Sequence, residues 1–177
     1  KRLVELGKDV VVLLDGVTRL VRAYSSAGQP TGRTLPGGID AAALFPPKRF
    51  LGAARSLRGN GSLTILATLR SDTASPADEL VWAEFAGTAN MEVHLNRLAA
   101  QWQVFPALDV MHTATRHEDQ LVDTDTAAAM VELRRHLTSL NEGGSPLAGL
   151  EWLAEQVAST PDNAALLARV AKNRPGR

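Results

Sequence analysis

Two uninterrupted apolar runs constrain the fold of this chain more than any other feature. DVVVLLDG spans residues 9–16 and SLTILATL spans residues 62–69, and both are rich in β-branched residues and leucine. Polar residues flank the first run, a pattern typical of a strand that is buried on both faces of a parallel sheet. Helix-like segments lie between and after the two runs. Strands that alternate with helices predict βαβ units, and therefore an open α/β sheet.

The segments between the two runs predict helices and one long loop. Residues 17–24 are predicted to form a helix, and residues 40–58 a second one that a Pro-Pro pair at 46–47 breaks or restarts. Residues 25–38 are rich in Gly, Pro and hydroxyl side chains and carry a single charge, Arg33. This composition predicts a long pliable loop.

The second half of the chain changes character along its length. Strict alternation over residues 89–96 predicts a strand with one polar face, and residues 102–110 predict a further strand. Three helices are predicted after them, and the last two are expected to begin at Ser145-Pro146 and Thr160-Pro161. We therefore divide the chain into a core over 1–122, a C-terminal helical layer over 123–172 and a tail over 173–177.

Composition excludes several kinds of protein. Nineteen basic residues balance nineteen acidic ones, so any contact with nucleic acid has to be local. There is no cysteine, which excludes disulfides, thiolate metal ligands and a cysteine nucleophile and fits the cytoplasm. No apolar run approaches the roughly 20 residues that span a bilayer, so no membrane partner is expected. KRLVELGKD at the start resembles the last turns of a helix, and we expect the chain to be a fragment of a longer protein.

Asp15 ends the first apolar run, where open α/β folds gather ligand-binding groups. An apolar strand that ends in Asp has the form of a Walker B strand, whose carboxylate holds Mg²⁺ beside nucleotide phosphates. Many helix-capping aspartates share this pattern, so the alternative stays open. The sequence contains no G-x-x-x-x-G-K-[ST] phosphate loop.

Read in order, a set of segments resembles the ATPase domain of the bacterial transcription termination factor Rho family. These segments are LLDGVTRLVRAY, GRTLPGGIDAAAL, PPKRFLGAARSL, GSLTILAT, EFAGTANMEVHLNR, VFPALDV and TRHEDQL. The resemblance covers residues 1–121 closely and the C-terminal helices more loosely. It implies the C-terminal portion of a RecA-like P-loop NTPase core, with a mainly parallel sheet flanked by helices. It also implies that the phosphate loop, the catalytic glutamate and the RNA-binding OB domain are not in this chain.

The resemblance implies a nucleotide site that uses ATP and Mg²⁺. Asp15 matches the Walker B aspartate that holds Mg²⁺, and Thr18 and Arg19 lie at the helix start beside it. Phe105 matches the aromatic residue that stacks on adenine. Arg116 matches the arginine finger that reaches the ATP of a neighbouring subunit. From the residues alone, Phe105 is a core residue and Arg116 a surface cation paired with Glu118 or Asp119.

The resemblance also implies two RNA-binding loops that line the channel of a homohexameric ring. Gly32, Arg33 and Thr34 lie in the counterpart of the family's Q-loop, where Arg33 takes the place of a lysine. The R-loop counterpart offers Thr73, Ala74 and Ser75 as hydrogen-bonding residues. RNA and, through the whole protein, RNA polymerase are the implied partners.

Three positions depart from the family pattern. Pro76 replaces an R-loop lysine, Gln103 replaces an arginine at the nucleotide-side valve, and Gly16 replaces the serine that commonly follows the Walker B aspartate. The main prediction is part of an ATP-dependent RNA-translocating helicase that terminates transcription. The alternative is a non-catalytic paralogue that serves in ring assembly or RNA binding. Glu92 and His94 share a strand face, and we expect a hydrogen-bonded polar face there and no metal site.

Overall fold

The computed structural model describes residues 1–172, so the predicted tail at 173–177 lies outside the described residues. The chain folds as two compact units, one over Lys1–Thr88 and one that begins at Ala89. Each unit has its own elements and its own core. The division at residue 122 into an ATPase core and a helical layer stays a prediction.

The first unit alternates strands and helices around one small sheet. Its elements in chain order are α1 (Arg2–Glu5), β1 (Val10–Leu14), α2 (Val17–Ala27), β2 (Thr34–Leu35), β3 (Ile39–Asp40), α3 (Phe45–Leu51), β4 (Arg55–Ser56), β5 (Ser62–Ala67) and α4 (Pro76–Phe85). The order of the central sheet is β1-β5-β4. β1 and β5 are parallel and pair Val10 with Leu63 through Leu14 with Ala67. β4 is antiparallel to β5, so the sheet is mixed.

The two faces of the sheet differ in their surroundings. On one face Val10, Val12 and Ile65 pack around the buried Leu63. On the other face Val11 and Leu13 are 62% and 76% exposed, and Leu66 beside them is also exposed. The prediction of a strand buried on both faces is therefore wrong for the described residues. Within residues 1–172 only one face of β1 has a packing layer, because α1 and the segment around Ala53 cover that face.

A second core lies between α2 and α4. Val17 and Val21 are one helical turn apart on α2 and pack with Ile39, Val81 and Phe85. Complete burial of side chains of this size is worth about 1.5–3 kcal/mol each. This core fixes α2 directly after the end of β1, since Val17 follows Asp15 by two residues.

The segment predicted as a pliable loop is more ordered than expected. α2 continues through Ala27, and Thr34–Leu35 pairs with Ile39–Asp40 across a 3-10 turn at Pro36–Gly38. The prediction of a continuous loop over 25–38 is therefore wrong at both ends, because the helix runs into it and the hairpin closes it.

The predicted helix over residues 40–58 is shorter than expected. A 3-10 turn at Ala41–Leu44 leads into α3, whose first turn contains Pro46 and Pro47, so the prolines restart the helix as predicted. The helix ends at Leu51 instead of continuing to residue 58. Beyond it Arg55–Ser56 joins the sheet as β4.

The second unit is mainly helical. Its elements in chain order are β6 (Met91–Glu92), α5 (Arg97–Gln101), β7 (Ala114–Thr115), α6 (Thr124–Gly143), α7 (Ala148–Ser159) and α8 (Asn163–Lys172). The three C-terminal helices are confirmed, but α7 and α8 begin three residues after the predicted Ser-Pro and Thr-Pro signals. Asp162 caps α8, because its Oδ1 accepts a hydrogen bond of 2.8 Å from the Ala165 amide.

The two strands predicted in this unit are mostly irregular. Within residues 89–96 only Met91–Glu92 forms a strand, and it pairs with β7. Met91, Val93 and Leu95 are exposed, so the apolar face of the alternation is the outer one. Residues 102–110 form no strand; Val104, Ala107 and Val110 pack around the buried Leu147 and Leu150 from an irregular segment. Among the described helices, none is long and apolar enough to cross a membrane.

Candidate nucleotide and RNA sites

Asp15 lies at the carboxyl end of β1, as the sequence pattern predicts. One carboxylate oxygen accepts a hydrogen bond of 2.6 Å from Thr68 Oγ1, at the end of the neighbouring strand β5. Two backbone hydrogen bonds hold Thr68 in place, one from its amide to the Leu14 carbonyl and one from the Val17 amide to its own carbonyl. The Asp15 side chain is exposed, so its second oxygen can reach a ligand.

Gly16 is required by this arrangement. A Cβ on Gly16 would lie 2.5 Å from Thr68 Oγ1 and 2.9 Å from the Thr68 carbonyl oxygen. The serine that the resemblance implies at this position does not fit here unless Thr68 moves. The departure at Gly16 therefore accompanies close packing of the two strand ends.

Thr18 and Arg19 lie in the first turn of α2. Thr18 is buried, and its Oγ1 is the one buried side-chain polar atom in the described part of the chain that lacks a hydrogen-bond partner. Arg19 is exposed. A buried hydroxyl without a partner is a polar group that a water or a ligand can satisfy.

Asp15 offers one carboxylate as a possible ligand for Mg²⁺ in a nucleotide complex. Across residues 1–172 no three His, Asp or Glu side chains come together as a metal site. Mg²⁺ beside phosphates needs only one or two carboxylates, because phosphate oxygens and waters supply the other ligands. His94 Nε2 is 3.6 Å from Glu92 Oε2, and the His94 amide donates a hydrogen bond of 3.1 Å to Thr113 Oγ1.

The Arg33 loop, residues 28–38, is held closed by Asp40. The Asp40 carboxylate accepts hydrogen bonds from the Thr31 amide at 2.7 Å and from the Ala42 amide at 2.9 Å. The pKa of Asp40 lies below its usual value, chiefly because of the hydrogen bond from the Thr31 amide and next because of the one from the Ala42 amide. The Arg33 carbonyl accepts from the Ala41 amide, and the Arg33 side chain is exposed. Gly32 has a positive φ of 81° and Thr34 begins β2.

The Thr73 loop, residues 70–75, leads directly into α4. The Thr73 hydroxyl donates a hydrogen bond of 2.8 Å to the Asp78 carboxylate. Ala74 has a positive φ of 55°, and Ser75 precedes the helix without making a side-chain cap. Pro76 is the first residue of α4, a position that tolerates its missing amide hydrogen.

Phe105 and Arg116 lie in the second unit. Phe105 is 65% exposed, so it is not the core residue that spacing alone suggests. The Arg116 amide donates to the Asn90 carbonyl at 2.7 Å, next to the β6–β7 pair. Glu118, considered above as an ion-pair partner of Arg116, lies 2.8 Å from Arg134 and raises the pKa of Arg134 by its hydrogen bond.

The chain matches three proteins described as transcription termination factor Rho over nearly its whole length. It is 47% identical over 176 residues to that of Mycobacterium tuberculosis, which covers 99% of this chain and 29% of that protein. It is 48% identical over 175 residues to that of Streptomyces lividans, with coverage of 99% and 24%. The protein of Streptosporangium roseum is 49% identical over 170 residues, with coverage of 96% and 43%.

The chain is homologous to part of transcription termination factor Rho. It spans less than half of the length of these Rho proteins. No family model matches the chain.

Solved structures confirm the α/β fold. A prototypical ATPase of the type III secretion system of pathogenic bacteria matches with a TM-score of 0.71, at 19% identity, over 97% of this chain and 55% of that chain. The assembled ATPase EscN of the enteropathogenic E. coli type III secretion system matches with a TM-score of 0.68, at 19% identity, over 97% and 46%. The predicted RecA-like fold is thus confirmed, with a mixed sheet and C-terminal helices.

Within the first unit the turn of the Arg33 loop packs against the first turn of α4, which follows the Thr73 loop, and Asp15 precedes Thr18 and Arg19 by three and four residues. Phe105 and Arg116 lie apart from these residues in the chain, in the second unit. The sequence reasoning missed Thr68, Asp40 and Asp78, whose carboxylates or hydroxyls organise the candidate sites. An aspartate in the first turn of a helix that follows a loop is a usable signal for Asp78.

Proposed function

We propose that this chain is part of an ATP-dependent, RNA-translocating hexameric helicase that terminates transcription. The observation that carries the proposal is identity of 47–49% to Rho across nearly the whole chain. The two loops of the first unit support it, because the Arg33 loop presents an exposed cation and the Thr73 loop presents hydroxyl and backbone groups together with Arg70. RNA, sister subunits in a homohexameric ring and RNA polymerase are the proposed partners, and the cytoplasm is the proposed location.

The nucleotide site would be formed by Asp15, Thr18 and Arg19. Asp15, oriented by Thr68, would hold the Mg²⁺ of an ATP complex, and bound Mg²⁺ neutralises charge on the phosphates. The exposed ring of Phe105 would stack on adenine. Arg116 would act on the ATP of a neighbouring subunit, where such a residue contributes roughly 10³–10⁵ in rate.

Two loops would follow the RNA. Arg33 would bind phosphate, with the backbone of Gly32 and the Thr34 hydroxyl beside it. Thr73, Ala74 and Ser75 would contact the same strand. Because Pro76 carries no charge, each subunit would neutralise fewer phosphates, and the salt dependence of RNA affinity would be shallower than with a lysine there.

The 177-residue chain alone should not hydrolyse ATP, because its sequence has no phosphate loop and therefore no phosphate-binding lysine. The test is steady-state ATP hydrolysis by the chain and by the full-length protein, each with and without poly(C). Hydrolysis by the full-length protein that rises with poly(C), and none by the chain, is expected. RNA-stimulated turnover by the isolated chain would contradict the assignment.

A non-catalytic Rho-like paralogue is the second candidate, and the departures at Gly16, Pro76 and Gln103 favour it. Gly16 is the most specific of these, since a side chain there would collide with Thr68. The full open reading frame separates the two candidates. An intact upstream G-x-x-x-x-G-K-[ST] favours the motor, and a frame without it favours a module for ring assembly or RNA binding.

A further inference from the structure

Asp78 is a buried carboxylate at which α2, α4 and the Thr73 loop meet. It is 1% exposed. Its Oδ1 accepts a hydrogen bond of 2.6 Å from Arg22 Nη2, on α2. Its Oδ2 accepts the hydrogen bond of 2.8 Å from Thr73 Oγ1, and Arg70 Nε lies 3.6 Å from the same oxygen. Both oxygens are therefore engaged, each by a different element.

The buried Asp78 carboxylate is stable only while its hydrogen-bond donors are present. A carboxylate removed from water is costly unless it is paired and hydrogen-bonded. Loss of either partner would leave a buried charge short of a donor, so Arg22 and Thr73 are held to Asp78 by more than a surface ion pair would supply. The Thr73 loop is short, and the positive φ at Ala74 limits the conformations it can adopt.

The hydroxyl proton of Thr73 is committed to Asp78. A threonine hydroxyl has one proton to donate and can still accept. Because the proton points to Asp78, the rotamer of Thr73 is fixed and its oxygen presents lone pairs away from the carboxylate. Arg22 lies on α2, which begins two residues after Asp15, so Asp78 links the Thr73 loop to the helix that starts at the proposed nucleotide site.

We infer that Asp78 is a positioning residue that anchors Thr73 to α2 through Arg22 and so sets the geometry with which the Thr73 loop meets RNA. Asp78 itself does not touch RNA, since it is buried. This inference rests on the proposed function, and it adds a residue that neither the family resemblance nor the loop sequence identifies.

The test uses the full-length protein with the variants D78N, T73V and D78N/T73V. The measured quantity is the poly(C) concentration that gives half-maximal stimulation of ATP hydrolysis. An asparagine keeps only one acceptor oxygen, so Arg22 and Thr73 compete for it. We expect D78N and T73V each to raise this concentration about tenfold, the loss of one hydrogen bond to a charged group. The double variant should equal either single one.

E79Q is the matched control, because Glu79 is the next carboxylate on α4 and is exposed. A second readout is amide hydrogen exchange of residues 70–75 in the 177-residue chain, which we expect to be faster in D78N and unchanged in E79Q. Wild-type affinity for poly(C) in D78N, or additive effects in the double variant, would overturn the inference alone. A wild-type protein that does not respond to poly(C) would overturn the proposed function as well.

Discussion

Gly37 packs against Ala77 with no space between them for a side chain. A Cβ on Gly37 would collide with the backbone nitrogen, Cα and Cβ of Ala77. Gly37 also has a positive φ of 75°, which other residues rarely adopt. The turn of the Arg33 hairpin thus lies directly on the first turn of α4, which follows the Thr73 loop. A displacement of one loop has to be accommodated by the other.

Replacement of Gly37 by alanine should destabilise the first unit strongly. Strain at positive φ costs about 1–2 kcal/mol, and the collision with Ala77 adds about 1–3 kcal/mol. Gly38 is the matched control, because its φ is 77° and a Cβ there meets no atom within 4 Å. Urea unfolding should show that G37A lowers the free energy of unfolding clearly more than G38A does. Equal decreases in the free energy of unfolding would mean that Ala77 shifts at little cost to accommodate the added methyl group.

Replacement of Arg33 by alanine in the full-length protein should abolish stimulation of ATP hydrolysis by RNA. The guanidinium is the exposed cation of its loop, Pro76 carries no charge, and Arg70 of the Thr73 loop lies 3.6 Å from the Asp78 carboxylate. ATP hydrolysis measured against poly(C) concentration is the assay, and R58A removes an exposed arginine outside both loops as a control. An unchanged response in R33A would show that this loop does not bind RNA.

Phe105 can be truncated with little effect on stability, because its ring is already exposed. We expect F105A to change the free energy of unfolding by less than about 0.5 kcal/mol. Loss of a stacked ring of this kind corresponds to about 0.5–1.5 kcal/mol, so the affinity of the full-length protein for ATP should fall up to about tenfold. F45A removes another exposed phenylalanine, 71% exposed, and should leave ATP affinity unchanged. ATP titration of both variants checks this. Equal ATP affinities of F105A and F45A would show that Phe105 does not bind adenine.

Asp40 should make the closure of the Arg33 loop sensitive to acid. Its pKa in the folded chain lies below the ordinary value of 3.8, because the amides of Thr31 and Ala42 stabilise the carboxylate. A lowered pKa contributes stability that is fully present above pH 3.8 and is lost as the pH falls through the folded pKa. Urea midpoints of the wild type and D40N should therefore differ at neutral pH and converge in acid. If the difference between the two urea midpoints does not change with pH, the charge of Asp40 is not its cause.

Local patterns were sufficient for the parts of the fold in which neighbours in sequence determine the structure. The apolar run before Asp15 and the periodicity of the last three helices each predict their element correctly. The start of α8 was misplaced, because Asp162 competes with Thr160 as the cap and Asp162 makes the hydrogen bond. Strand ends and helix periodicity depend on residues that are close in sequence, so they can be predicted from the sequence.

Long-range partners account for what the sequence did not show. Arg55–Ser56 becomes a strand only because Ser62 and Leu63 offer it an edge. Val104 and Val110 pack from irregular backbone because Leu147, which precedes α7, and Leu150 within α7 come from far along the chain. Asp78 has no distinctive local pattern, and its role depends on Arg22, 56 residues away. The roles of Arg33, Thr73, Phe105 and Arg116 remain predictions.

The outer face of the sheet has a practical consequence for work with the chain by itself. Val11, Leu13 and Leu66 form an apolar stripe on β1 and β5, and β1 is one of the two edge strands of the sheet as described. Exposed apolar stripes beside an open edge are sites of aggregation. Aggregation depends on protein concentration, so the concentration affects measurements on the isolated chain. Measurements of unfolding or exchange should be repeated across a dilution series, and a lysine in place of Leu13 should extend the range over which they agree.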